Sequence, residues 1–384
     1  MTSDSITETD TAVLPRIDLD LFRADPTSPA ALAECEKAAL ALQTFGALVL
    51  STSTVSDDSN TEFLDLFEDY FAQPDELLKK DERPQYGFQV GTTLSNTEKP
   101  KCHSNDECQS VISNLDPAER PLDLTASFAD PKCRFFYRMA QIPPYQSKFS
   151  TAAMLNVVPQ GFEDIWIDKC EAYGSLLKSA VEGLAEMSAI GFGLDKSIFL
   201  DAGKYGPHLL APTATDLVKY GQLGAIFAGF HTDLNFLTIH GPSRYPGLHI
   251  WARNTGKRIV AKVPKGCLLV QAGKQLEIVT GGLVRAGFHE VIYNERTHAA
   301  VEQRKITHPD RPLIRISSTM FWHLSSDYDI TPIPALAQRA VALRKKNGEI
   351  TSSKSEDEDP YKEWRGVLVG NQVLTELGLI NLVA

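Results

Sequence analysis

The chain has 384 residues, with 38 basic against 49 acidic side chains, a formal net charge of −11 and a pI near 5.4. Its 4 Trp, 11 Tyr and 18 Phe are spread along the chain and exclude disorder as the dominant state. The acidic balance argues against nucleic acid as a partner, and no apolar run approaches the roughly 18 residues of a membrane span.

Residues 1–14 are rich in Ser, Thr and Asp, lack the pattern of a signal peptide and read as a disordered leader. A first strand is predicted over 15–19. Ser28 and Pro29 then supply an N-cap and a first-turn proline for a helix through about Thr44. Residues 46–50 read as a short buried strand. Phe63, Leu66, Phe67, Tyr70 and Phe71 recur at helical spacing and predict an amphipathic helix over 58–72. The stretch 73–160 is irregular, and a long helix follows over 162–191. From 208 to 321 the texture changes to short β-rich runs at 229–239, 247–251, 258–263, 266–271, 284–293 and 312–321, punctuated by Gly, Pro and Asn. Many short strands with turn signals indicate a sandwich or barrel rather than βαβ units. A helix over 335–346, a solvated loop over 347–360 and a closing helix over 361–379 complete the chain.

Six cysteines in a chain of this length are too sparse for a disulfide scaffold, so reduced thiols in the cytoplasm are expected. Cys102, His103 and Cys108 could form half of a zinc set, but no second ligand pair matches them, and a surface loop is expected there.

The chemistry-bearing residues lie in the β-rich part. His231 and Asp233 flank Thr232 inside an apolar run, and on a strand they project to the same face. A carboxylate in such a run costs several kcal/mol unless it is paired or bound to a cation. Alone, a His-x-Asp reads as a hydrogen-bonded pair; its downstream company changes that. His289 lies in a second strand-like run 56 residues on, and residues 312–321 alternate so that Arg315, Ser317 and Thr319 share a face. A guanidinium beside a hydroxyl makes a carboxylate clamp. Two His and one carboxylate with open positions is the donor set of a non-haem Fe(II) oxygenase. His240, His249, His298, His308 and His323 read as satisfied or exposed histidines, and Cys267 as a core residue. Arg134 and Arg138 could line a substrate mouth.

With His231-x-Asp233, the distal His289 and Arg315-x-Ser317 in order, the chain resembles the isopenicillin N synthase-like branch of the Fe(II)/2-oxoglutarate dioxygenases. Residues 264–277 and 280–286 resemble it too, the run Arg315-Ile-Ser-Ser-Thr-Met-Phe321 is similar to the cephalosporin ring-expanding members, and 14–19 and 45–49 resemble the family's N-terminal region. The resemblance implies a mainly β fold with flanking helices, a double-stranded β-helix or distorted jelly roll. It divides the chain into the leader, an N-terminal α/β region over 15–160, a long helix and catalytic core over 161–334, and C-terminal helices with a polar loop over 335–384.

By the same resemblance His231, Asp233 and His289 would bind Fe(II), and Arg315 with Ser317 would hold 2-oxoglutarate. O2 is then the oxidant, with ascorbate as an added reductant. The expected activity is oxidative C–H activation (hydroxylation, desaturation or ring formation) on a small amino-acid-derived or specialised metabolite. No nucleic acid, membrane or obligate protein partner is expected. Two alternatives stay open: an iron oxidase of the same fold that uses no 2-oxoglutarate, and a non-enzymatic jelly-roll metal-binding protein. Residues 297–310 read as a polar insertion between His289 and Arg315, so Arg304 and Arg311 compete as the clamp, though neither has Ser or Thr two residues on.

Overall fold

The alternation of residues 314–322 sets the architecture. Ile314, Ile316, Met320 and Trp322 enter the main hydrophobic core, while Arg315, Ser317, Thr319 and Phe321 face the opposite side and line a cavity. Period-2 chemistry on one strand pair thus separates a packed face from a working face. The computed structural model describes residues 13–100, 102, 105–122, 124, 129–149, 154–349 and 360–379. Residues 1–12, His103 and most of the polar loop, 350–359, lie outside the described residues.

The strands in the first half are β1 (Arg16–Asp18), β2 (Ala47–Ser51), β3 (Gly91–Thr93), β4 (Cys133–Arg138), β5 (Leu209–Leu210), β6 (Thr213–Asp216) and β7 (Ile226–His231). The remainder are β8 (Leu237–His240), β9 (Leu248–Trp251), β10 (Arg258–Val260), β11 (Cys267–Ala272), β12 (Phe288–Ile292), β13 (Ile314–Ser317) and β14 (Thr319–Trp322). They form a ten-stranded sheet in the order β1-β2-β11-β8-β14-β5-β4-β6-β13, with β3 on β4, and a four-stranded sheet in the order β10-β9-β12-β7. Apart from the parallel β1–β2 pair, the pairings are antiparallel. The cavity lies between the two sheets of this distorted jelly roll: β4, β5, β6, β8, β13 and β14 line one side, and β7, β9 and β12 the other.

Helices cover the outer face of the large sheet. The Pro29–Phe45 helix starts where Ser28 accepts a hydrogen bond from Ala31 N and ends at Gly46 in the left-handed region. The 26-residue helix Trp166–Gly191 buries Trp166, Cys170, Tyr173, Leu177, Val181 and Leu184 against the sheet and its neighbours. The Asp57–Phe71 helix adds Phe63, Phe67 and Tyr70 to an aromatic cluster with Phe135 and Trp166.

Several expectations are corrected. The run 229–239 is not one strand: β7 ends at His231 and β8 begins at Leu237, with a turn between them. Asn235 makes that turn, its side-chain amide donating to the Leu237 and Trp322 carbonyls. The polar segment after His289 is largely the helix Glu295–Thr307, capped by reciprocal bonds between Asn294 and Thr297. Cys102 and Cys108 form a disulfide, so two of the six thiols are not reduced and neither is a zinc ligand; the other four are buried and free. Residues 312–321 are two strands that join different neighbours, β13 on β6 and β14 on β8 and β5. The closing helix begins at Val369, later than expected.

Candidate active site

His231 ends β7 and His289 lies on β12, where the two are direct cross-strand partners. Their rings stand 4.2 Å apart, centroid to centroid. The Asp233 carboxylate comes from the turn after β7, and its Oδ1 lies 3.7 Å from His231 Nε2 and 3.9 Å from His289 Nε2. One ligand atom from each of the three falls within 4.8 Å of the others. The three residues singled out in the sequence therefore converge, but Asp233 reaches the imidazoles from a turn rather than from the strand.

That turn is fixed from behind. The carbonyls of Asp233, Asn235 and Phe236 accept hydrogen bonds from Lys274, Gln275 and Gly273 N, at the start of the Lys274–Val279 helix. A Cβ at Gly273 would come within 2.0 Å of the Asn235 carbonyl oxygen, so this approach requires glycine.

Hydrogen bonds orient the three donors. His231 Nδ1–H donates to the Gly229 carbonyl at 2.6 Å, leaving the Nε2 lone pair toward the other two. Thr238, fully buried on β8, donates its hydroxyl to Asp233 Oδ2 at 2.6 Å, which leaves Oδ1 facing the imidazoles. Burial and the neighbouring His289 push the His231 pKa well below its ordinary value, so the ring is neutral and able to ligate. Burial opposes the charge on Asp233, but His289, His231 and the Thr238 hydroxyl outweigh it and hold the carboxyl at about 2. Two imidazoles and one carboxylate are the donors that suit a divalent first-row metal with positions to spare.

Arg315 lies across the cavity on β13, 6 % exposed. Its Nε is buried without a hydrogen-bond partner, and among the described residues no carboxylate pairs with it. Burial alone depresses its pKa, to about 10. Ser317, two residues on, lines the same cavity, its hydroxyl 3.0 Å from that of Thr319. Arg304 and Arg311 point elsewhere: with Arg244 they surround Glu68, which is 1 % exposed, outside the cavity.

His240 and His323 line the cavity without belonging to the three-donor group. Burial lowers their pKa values to about 4 and about 3, so both are neutral. Arg134 lines the cavity and Arg138 does not. Sequence reasoning missed Thr238, which looks like one more strand threonine. It also missed Glu98, Asp130 and Lys132, which join Arg134 in the cavity wall, Glu98 from one segment and the other three from residues 130–134. Leu377, on the Val369–Leu379 helix, completes the wall.

Residues 204–324 match the model of the 2OG-Fe(II) oxygenase superfamily. No curated protein matches the chain. Among solved structures, full-length Neurospora crassa T7H in complex with alpha-KG superposes with a TM-score of 0.67 at 17% identity, covering 98% of this chain and 100% of that one. The same protein with alpha-KG and thymine gives 0.65 at 18%, covering 96% and 97%. The rice dioxygenase for auxin oxidation gives 0.57 at 17%, covering 88% and 97%. At these identities the superpositions establish the jelly-roll fold, and the match at 204–324 adds the chemistry. The chain therefore carries a 2OG-Fe(II) oxygenase superfamily domain, and it is a non-haem dioxygenase that uses Fe(II), 2-oxoglutarate and O2.

Proposed function

We propose that His231, Asp233 and His289 hold the Fe(II), that Arg315 and Ser317 hold the distal carboxylate of 2-oxoglutarate, and that the protein oxidises a C–H bond of a small amino-acid-derived or specialised metabolite. The observation that carries this reading is Arg315, a buried guanidinium with no described acid partner, in the wall of the cavity that also holds the three donors. An unpaired buried cation is costly, and a dicarboxylate cosubstrate removes that cost. On the motif run 315–321 we assign the chain to the isopenicillin N synthase-like branch. Hydroxylation, desaturation and ring formation are all open to this site.

Bound Fe(II) supplies activation of O2, coupled to decarboxylation of the cosubstrate to succinate. The protein's own groups do the rest. Gly229 fixes the tautomer of His231, and Thr238 selects which Asp233 oxygen faces the imidazoles. Arg315 and Ser317 orient the cosubstrate from the opposite sheet, and Phe136, Phe321, Leu209 and Leu248 exclude water from the reacting end.

The test is anaerobic mixing of protein, Fe(II) and 2-oxoglutarate, which should give a weak visible charge-transfer band. Truncating one partner of a buried charge pair costs about 2–5 kcal/mol. Arg315→Gln should therefore weaken 2-oxoglutarate binding by about 30-fold to several thousand-fold. Ser317→Ala should lose about 1.5–3 kcal/mol, while Arg311→Ala should bind the cosubstrate normally. Lost binding in Arg311→Ala with binding retained in Arg315→Gln would overturn the assignment.

A further inference from the structure

We infer that the substrate entering this cavity carries no net charge, and that Glu98 and Asp130 enforce that selectivity by neutralising Arg134 and Lys132. The inference rests on the proposed iron and 2-oxoglutarate sites and goes beyond them to the class of molecule oxidised.

Beyond the three donors and Arg315, the cavity wall carries four further charges away from bulk solvent, Glu98 and Asp130 buried and Lys132 and Arg134 partly so. Lys132 Nζ lies 2.5 Å from Asp130 Oδ2 and 3.7 Å from Glu98 Oε2, and Arg134 Nη2 lies 2.5 Å from Glu98 Oε1. Side-chain exposure is 18% for Lys132, 13% for Arg134, 6% for Glu98 and 5% for Asp130, so solvent screens these charges poorly. Asp130 is also held by Gly229 N at 3.2 Å, on the strand that ends in His231. The Arg134 guanidinium lies 4.1 Å from the Phe136 ring centroid, its second partner. Two acids face two bases, and this group of four is neutral.

The three donors and Arg315 balance as well once their ligands are counted by formal charge. Fe(II) brings two positive charges and Arg315 one; Asp233 contributes one negative charge and 2-oxoglutarate two. Lys99 also borders the cavity, but it is exposed at the rim, where water and salt screen it. Among the described residues no buried charge is then left for a substrate to meet. A substrate carboxylate or ammonium would have to displace one member of the Glu98–Arg134–Lys132–Asp130 group or stay unpaired in a dry pocket, and both are costly. The remaining wall offers apolar surface from Phe136, Phe321, Leu209 and Leu248, with Phe136 and Phe321 edge to face at 6.1 Å. The fitting substrate is an apolar ring or chain with an uncharged hydrogen-bonding edge.

The experiment titrates matched amide and carboxylate pairs (benzamide and benzoate, phenylacetamide and phenylacetate, indole-3-acetamide and indole-3-acetate) into the anaerobic protein–Fe(II)–2-oxoglutarate complex. Perturbation of the charge-transfer band is read. The amides should bind at least tenfold tighter than their carboxylates. Glu98→Gln and Asp130→Asn each leave one surplus positive charge and should both shift that ratio at least tenfold toward the carboxylates. Two variants are used because either substitution alone could disturb local folding. Carboxylates that bind as well as amides to the unaltered protein, unshifted ratios in both variants, or failure of every amide to perturb the band would overturn the inference. Failure of the band to form before any probe is added would instead overturn the proposed iron and 2-oxoglutarate sites.

Discussion

Thr238 is not one of the three proposed metal donors, yet its hydroxyl decides how Asp233 presents itself. Groups that hydrogen-bond a metal-ligating carboxylate typically contribute about 10–100-fold to metal affinity. Thr238→Val keeps the shape and removes the donor, so it should weaken Fe(II) or Co(II) binding by that factor, and Thr238→Ser should restore it. A competitive metal titration of the three proteins measures this; unchanged affinity in Thr238→Val would show that Asp233 needs no such support. At this scale the sequence is legible where neighbours in the chain are neighbours in the site. Arg315, Ser317 and Thr319 alternate along 315–319 and indeed share the cavity face. Thr238 and Glu98 escape such reading because their roles depend on partners brought together by the fold, whereas Asp130, Lys132 and Arg134 alternate along one stretch.

Elements are legible in proportion to their periodicity. Pro29–Phe45 and Asp57–Phe71 announce themselves by caps and apolar spacing, and both lie within two residues of expectation. The turn at 232–236 does not, because Leu234 and Phe236 continue the apolar run while Asn235 bends the backbone. The Glu295–Thr307 helix buries only Thr297 and Val301, so its polar surface reads as an insertion. Its function as an element is nevertheless clear: Arg304 and the adjoining Arg311 meet Glu68 of the Asp57–Phe71 helix, alongside Arg244. Glu68→Ala would leave three guanidinium groups around a buried gap. Loss of one partner from a buried ionic group costs about 3–5 kcal/mol. Denaturant unfolding should show that loss, while 2-oxoglutarate binding to the surviving folded protein stays normal. A drop below about 1 kcal/mol would mean that Asp65 and Asp69, which already pair with Arg244 and Arg311, suffice to hold the cluster.

For the whole molecule, the buried histidines set an acid limit. Burial lowers the pKa of His240 and His249 to about 4 and of His323 to about 3, and it lowers that of His208 well below the ordinary value. The unfolded chain titrates its histidines near 6.5. Above pH 6.5 both states hold these rings neutral and the folded protein keeps its full stability. Between pH 6.5 and about 4 the unfolded state binds more protons, so stability falls as pH falls. Each histidine contributes up to about 1.4 kcal/mol per pH unit in that window. The melting temperature of the metal-free protein should therefore drop steeply from pH 7 to pH 5, and a flat profile would show that these rings are charged or solvated when folded.

The placement of the site across two separate sheets has one more consequence. His231 and His289 belong to the four-stranded sheet and Arg315 to the ten-stranded one, and among the described residues no ladder of backbone hydrogen bonds joins the two. A 2-oxoglutarate molecule held at one end by the iron and at the other by Arg315 would act as a rivet between them. Without it, the amides of β12 and β13 should exchange with deuterated solvent at unrelated rates. With it, their slow opening should merge into a single event, and exchange rates that stay unrelated after Fe(II) and 2-oxoglutarate are added would show that no such rivet forms.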